Sequence, residues 1–305
     1  MGVRKIVPIL QLLARAFTNL SANDPIRMAA ATAFFAFFAL PSILIILSQL
    51  YGDWLTGDRR WVNSQLFREL ADLFGPSSAR QLRDISRSLQ KPRSSEWLTA
   101  LSLVLLFLAS TTLFTTIKNS LNQLWNVKST AQGRVWPGLL TKLVALGIII
   151  FSGFLFTVSL SLHKAVSTLS ADASSYAWLA QIAHQSLSVL VLTIWFGLVF
   201  KYLPDVRIHW QAVWVGGLVT ALLVELGEVV LDRLLINSPV RSFYGSAGST
   251  ILVLLFVFYC SLIFYYGASF TRQYALWQEL ATEPGANSVA YQINEIPDQK
   301  PPSTS

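Results

Sequence analysis

Long stretches without charge constrain this chain more than any other feature of its sequence. Ala29 to Leu50 contains no charged residue, and five further stretches of similar length are almost as apolar. Each can cross a hydrocarbon core of about 30 Å as a helix rising about 1.5 Å per residue. Helices are expected because lipid offers backbone groups no hydrogen-bond partner, and the alternation typical of barrel strands is absent. The six predicted spans are 29–50, 97–117, 139–162, 179–200, 211–235 and 248–270.

The composition predicts the same class, an all-α polytopic membrane protein. Apolar residues make up 53% of the chain and charged residues 13%, against about 25% charged in an average soluble protein. Lys and Arg number 23 against 16 Asp and Glu, which in a membrane protein favours contacts with anionic lipid headgroups. Basic blocks interleaved with aromatic residues are absent, so membrane lipids are the expected partners and nucleic acid is not. The oligomeric state cannot be read from the sequence.

The distribution of Lys and Arg predicts the orientation. If the N-terminus is cytoplasmic, the short loops opposite hold only Lys164, Arg233 and Arg241, and the cytoplasmic side holds far more basic residues. We therefore expect both termini to lie in the cytoplasm. The predicted organisation is a cytoplasmic segment over 1–28, a six-span domain over 29–270 with an external loop at 51–96, and a cytoplasmic, partly disordered tail over 271–305.

The loop over 51–96 has its own helical pattern. Apolar residues recur with helical spacing between Val62 and Phe74, and a second stretch places Leu82, Ile85 and Leu89 on one face. On the opposite face fall four basic residues, which are candidates for headgroup contact: Arg80, Arg83, Arg87 and Lys91. This second helix lies either along the membrane surface or against the protein's own bundle, and the sequence leaves both alternatives open.

Polar side chains inside two predicted spans are the candidate site. Glu225, Glu228 and Asp232 share one helix face, and Lys118, Asn119 and Asn122 lie at the exit of the second span. Charged groups within a span normally face protein or water, and we expect Glu225 inside the bundle with company from Glu228 and the 118–122 region. These residues form either a polar pathway or lipid contact, or interhelical bonds that only stabilise the bundle.

Catalytic, metal-binding and cofactor-binding residues are not predicted. The three histidines, His163, His184 and His209, are far apart, and the only cysteine is Cys260, so no spacing typical of metal ligands exists. We therefore predict a protein that is not an enzyme. Asp205, after Pro204, is expected to cap the turn that follows the fourth span.

Four strings in the right order resemble the YihY/BrkB family of bacterial inner-membrane proteins, formerly labelled ribonuclease BN. They are AAATAFFAFFALPSILIIL at 29–47, LASTTLFTTIKNSLNQLWNV at 108–127, KYLPDVRIHW at 201–210 and FYGSAGSTILVLLFVFYCSLIFYYGASFTRQYA at 243–275. The resemblance implies six spans in the inner membrane. The family usually ends its last span with Gly-Ala-Glu, where this chain has Ser269.

The expected function follows from the membrane class and the polar residues within spans. We expect a protein of envelope physiology that moves or organises a lipid or other amphiphile. The alternatives are a membrane-bound enzyme, as the family's older tRNA-processing ribonuclease label implies, and an envelope scaffold without a substrate.

Overall fold

The structure is a computed structural model, and it is mostly helical. It describes residues 3–54, 63–64, 66–68, 70–71, 76–90, 111–130, 147, 151, 177–231, 248–280, 282–285 and 288–292. The helices are α1 (Val3–Ser21), α2 (Pro25–Trp54), α3 (Pro76–Gln90), α4 (the helical residues 111–124), α5 (Ala177–Tyr202), α6 (Trp210–Leu231) and α7 (Gly248–Trp277).

Three described helices are long and apolar enough to cross a membrane. The qualifying stretches are Gln185–Tyr202 in α5, Trp210–Gly227 in α6 and Thr250–Trp277 in α7, and a shorter apolar stretch, Pro25–Pro41, lies in α2. Apolar runs of this length fold as helices because only a helix satisfies its own backbone groups in lipid. The predicted helical membrane class is confirmed, whereas the count of six spans is not, since most of 97–117 and all of 139–162 except 147 and 151 lie outside the described residues.

Helices α6 and α7 cross through two matched pairs of Gly and Thr. Thr220 Oγ1 donates to the carbonyl of Gly216 in its own helix, and Thr271 Oγ1 donates to Gly267, each at 2.7 Å. Each Thr packs on the Gly of the other helix: a Cβ on Gly216 would lie 1.8 Å from Thr271 Oγ1, and one on Gly267 1.9 Å from Thr220 Oγ1. The absent side chains let the backbones approach closely.

The main core lies where α2, α4, α5 and α7 meet. Phe196 and Phe200 of α5 pack beside Tyr265 of α7, and Leu121 of α4 is fully buried among them. The Tyr265 hydroxyl is 2.6 Å from Thr32 Oγ1 of α2, which gives this buried polar group the partner that it needs.

Helix α3 docks on the protein's own bundle. Leu82 is buried against Leu44 of α2 and Val253 of α7, and Gln81 donates to Thr250 Oγ1 at 2.9 Å. Of the two alternatives for this helix, the structure shows the docked one. The residues before it with the predicted helical spacing are also buried where they are described: Leu66, Phe67 and Leu70.

Two short antiparallel sheets tie the C-terminal segment to loops between helices. Strand β1 (Val127–Ser129) pairs with β4 (Ser288–Ala290), and β2 (Val206–Arg207) pairs with β3 (Glu283–Pro284). Within the tail that was expected to be partly disordered, 282–285 and 288–292 are therefore ordered. The physical reason is that the loops at 127–129 and 206–207 offer unpaired backbone groups, which a short polar strand can satisfy without an apolar pattern.

Candidate functional site

Asp205 joins three parts of the chain at one end of the bundle. Its Oδ1 lies 2.8 Å from Lys118 Nζ, and its Oδ2 accepts a hydrogen bond of 2.9 Å from Asn122 Nδ2. Lys118 and Asn122 are four residues apart on α4, so they share a face. The Asp205 amide also donates to Asn122 Oδ1 at 2.8 Å. The carboxylate is therefore held by a cation and an amide from the same helix.

The backbone carbonyl of Asp205 holds the C-terminal segment. It accepts hydrogen bonds from the Gly285 amide at 2.8 Å and from Ser288 Oγ at 2.7 Å. The expected capping role of Asp205 is wrong, because its carboxylate is engaged by α4. The first turn of α6 is capped instead by His209, whose Nδ1 accepts from the Gln211 amide at 3.3 Å.

Arg272 is the second centre of this polar end of the bundle. Its Nη1 donates at 2.8 Å both to Asn19 Oδ1 of α1 and to the Leu124 carbonyl at the end of α4. In the amide orientation that satisfies its neighbours, Asn126 Oδ1 accepts from Arg272 Nη2 at 3.0 Å. A cation at a helix C-terminus interacts favourably with the helix dipole, so Arg272 stabilises the end of α4.

Ser269 lies one turn before Arg272 and is fully buried. It donates to the Ala16 carbonyl at 2.8 Å and accepts from Asn19 Nδ2 at 2.9 Å. At the position where the resemblance implies a carboxylate, this chain therefore has a hydroxyl that joins α1 to α7.

Glu225 lies in the interface between α5 and α6, far from Asp205. Its Oε1 accepts a 2.5 Å hydrogen bond from Ser188 Oγ, and its Oε2 accepts one from Gln185 Nε2. Ser188 precedes Tyr202, the last residue of α5, by fourteen positions, or about 21 Å of helix. The expected company from the 118–122 region is wrong, because Glu225 is bonded to the middle of α5, whereas Lys118 and Asn122 bind Asp205 just beyond the C-terminal end of α5.

The carboxylate of Glu225 is half-buried and borders an open apolar face. Gln185 is exposed, as are Ile182 of α5 and Leu222 and Leu226 of α6. Gln185 and Ser188, two neutral donors of α5, bond both carboxylate oxygens of Glu225. These hydrogen bonds lower the free-energy cost of placing an acid inside a span. The geometry can hold a proton or the polar part of a molecule that enters from the side of the bundle.

Some of the remaining predicted residues lie among those that the structure describes, and others do not. Arg80 and Arg87 are exposed, Arg83 lies 4.7 Å over the ring of Phe67, and Asn119 is exposed. Asp232 and Lys91 lie outside the described residues, and so does the side chain of Glu228. Headgroup contact by the basic residues stays a prediction.

The partners that complete the clusters around Glu225 and Arg272 could not be predicted from the sequence. Gln185 and Ser188 are ordinary polar residues of an apolar run, and nothing marks them as partners of Glu225. Asn19 likewise shows no signal, whereas Asp205 stands out in the sequence as a possible turn cap but not as the partner of Lys118 and Asn122. Among the residues that the structure describes, no group of His, Cys, Asp and Glu could hold a metal ion.

Apolar helices of membrane-spanning length, packed through close glycine contacts, define an integral membrane protein of the helical class. The sequence profile of the family described as "Virulence factor BrkB" matches residues 16–290. The chain belongs to this family.

The curated relatives carry only a general name. The chain is 24% identical over 254 residues to a UPF0761 membrane protein of Stenotrophomonas maltophilia (strain K279a), covering 83% of this chain and 58% of the relative. It is 22% identical over 270 residues to a UPF0761 membrane protein of Teredinibacter turnerae (strain ATCC 39867 / T7901), covering 88% and 61%. The chain thus spans about three fifths of the length of these relatives. No solved structure matches it.

Proposed function

We propose that this protein moves or organises a lipid or other amphiphile in the bacterial inner membrane, without catalysing a reaction on it. The observation that carries the proposal is Glu225, a half-buried acid within a candidate span, bonded to Gln185 and Ser188 and bordered by exposed aliphatic residues. Such a site offers hydrogen bonds to a polar headgroup and an apolar surface to its chains. Membrane lipids are the proposed partners, and both termini are proposed to be cytoplasmic.

Copurification tests the binding step. Protein extracted in mild detergent should retain an amphiphile that mass spectrometry detects, and Glu225→Gln should lose it because an amide cannot replace the carboxylate charge. Glu283→Gln is the matched control, since Glu283 is exposed in β3 and should leave the bound amphiphile in place. Equal retention by both variants would contradict the proposed role of Glu225.

A vesicle assay tests the movement step. The protein is reconstituted in vesicles of phosphatidylethanolamine and phosphatidylglycerol that carry a fluorescent phospholipid, and dithionite destroys the fluorescence of the outer leaflet. Active protein should let the reagent reach more than the outer-leaflet fraction, and Glu225→Gln should return the signal to that of protein-free vesicles. An unchanged signal with wild-type protein would favour organisation of lipid, or the scaffold alternative, over movement.

The enzyme alternative has its own test. Robust RNA cleavage by the purified protein, abolished by a substitution in this chain, would favour the ribonuclease label and overturn the non-enzymatic proposal. We expect no cleavage above that of a mock purification from cells that lack the protein.

A further inference from the structure

Helix α1 runs parallel to α7 rather than across it. The Tyr266 hydroxyl donates to the Leu13 carbonyl at 3.1 Å, and Ser269 Oγ donates to the Ala16 carbonyl at 2.8 Å. Arg272 then donates to Asn19 Oδ1 at 2.8 Å. The partners advance by three residues in both helices and in the same direction, so the two axes run side by side over this length.

This register places α1 beside the membrane-spanning part of the bundle. Tyr266 precedes Trp277, the end of the apolar stretch of α7, by eleven residues, or about 16 Å of helix. Leu12 packs in one cluster with Val215 and Val219 of α6, and Val219 is about 14 Å along α6 from Trp210. Both distances therefore place the middle of α1 near the centre of a hydrocarbon core about 30 Å thick.

Helix α1 has three different sides. Leu12, Ala16 and Leu20 are buried against the bundle. Leu10 and Phe17, which share a second side because they are seven residues apart, are exposed by 61% and 63%. Gln11 and Arg15, four residues apart, form a third, polar side and are exposed.

Helix α6, which shares a core cluster with α1, also exposes apolar side chains, and these face lipid if α6 spans the membrane. Val215 and Val219 of α6 contact the α1 cluster. Trp214, Leu218 and Leu222 form the neighbouring stripe of α6, and all three are exposed. Exposed apolar side chains on both helices mark contact with an apolar partner.

We propose that α1 is embedded in the membrane beside the C-terminal half of α7, with Leu10 and Phe17 in contact with lipid acyl chains and Arg15 directed toward headgroups. The expected cytoplasmic segment over 1–28 would then be part of the membrane domain. Burial of the two side chains in acyl chains removes from water apolar surface that the bundle leaves open.

Spin labels on α1 test the inference in the full chain. In a Cys260→Ser background, single labels at Leu10→Cys and Phe17→Cys report the apolar side, and labels at Gln11→Cys and Arg15→Cys are matched controls on the polar side. In phosphatidylethanolamine and phosphatidylglycerol vesicles, the ratio of collisions with oxygen to collisions with a water-soluble nickel chelate should be several-fold higher for the first pair. Equal ratios would overturn the proposal, and low collision with both reagents at Phe17 would indicate a protein partner instead.

A second measurement uses the unmodified protein. An apolar photoactivatable carbene reagent dissolved in the same vesicles should label residues between 9 and 17, as well as the exposed stripe of α6. Labelling of α6 without any labelling of α1 would overturn the proposal even if the cysteine variants failed to fold. Neither readout depends on Glu225, so this inference and the proposed function can fail separately.

Discussion

At the scale of single residues, Asp205 joins α4 to the C-terminal segment. Its carboxylate is engaged by Lys118 and Asn122, and its carbonyl by Gly285 and Ser288. The side chains of Lys118 and Asp205 are mostly buried, at 14% and 26% exposure. A pair this sheltered is screened much less than a surface pair.

Asp205→Asn should destabilise the protein by about 1–3 kcal/mol, because it removes the charge that compensates a largely buried ammonium group. The measurement is the denaturation midpoint of the purified protein in detergent. Asp24→Asn is the matched control: Asp24 pairs with Arg27 at 3.5 Å, but the side chains are 75% and 69% exposed. Its effect should stay within about 0.5 kcal/mol, and equal effects of the two variants would refute this account of Asp205.

At the scale of elements, the close contact between α6 and α7 depends on two glycines, which have no side chain to keep the helices apart. Gly216 and Gly267 each lie under a threonine of the other helix, and the threonine hydroxyls bond within their own helices. This arrangement gives the threonine hydroxyls hydrogen-bond partners and also lets the two helices pack closely. Close packing matters in lipid because the hydrophobic effect does not drive helix association there.

Gly216→Ala should destabilise the bundle by about 1–3 kcal/mol through overpacking against Thr271. The matched control is Gly197→Ala in α5, where the nearest atom to an added Cβ is Val213 Cγ1 at 3.5 Å, an ordinary contact. That variant should be neutral or more stable by up to about 1 kcal/mol, because Ala favours a helix over Gly. Denaturation midpoints of the two variants check the difference, and a loss of stability only in Gly197→Ala would refute it.

The helices were predictable from sequence and the strands were not, for a physical reason. Runs such as 179–200 and 248–270 carry a signal over twenty or more residues, and α5 and α7 follow them closely. A strand of two or three residues, such as 206–207, has no period to detect, and its partner at 283–284 is remote in the chain. The cluster at Asp205 was hidden for the same reason, since its contacts join residues that sequence spacing does not relate.

At the scale of the whole molecule, the polar clusters of Asp205 and Arg272 lie at the end of the bundle where α2 begins and α4, α5 and α7 finish. If this end is cytoplasmic, as the basic residues of its loops predict, the tail and the external loop face opposite compartments. Cysteine variants at Ser64 and at Ser303 should react with a membrane-impermeant reagent from opposite sides. Reaction of both from the same side would refute this orientation.

The C-terminal segment should be protected as one unit with the loops that it pairs with. The amides of Gly285, Ser288 and Tyr291 donate to Asp205, Gly285 and Asn126, so hydrogen exchange at these amides should be slow. Val289→Pro should speed exchange at Tyr291, because proline cannot adapt to the pairing of β4 with β1. Val289→Thr, which keeps the backbone donor, is the control. Equal exchange at Tyr291 in the two variants would contradict the pairing of β4 with β1.

The hydrogen bonds of Gly285 and Ser288 to the Asp205 carbonyl have a consequence during biosynthesis. The ribosome makes residues 282–292 after every helix described here, so β3 and β4 can pair only when translation has passed the last of them. Until that moment, the backbone groups of 127–129 and 206–207 lack the strands with which they form hydrogen bonds. A quality-control protease that recognises open strand edges would therefore distinguish a chain that includes 282–292 from one interrupted before these residues.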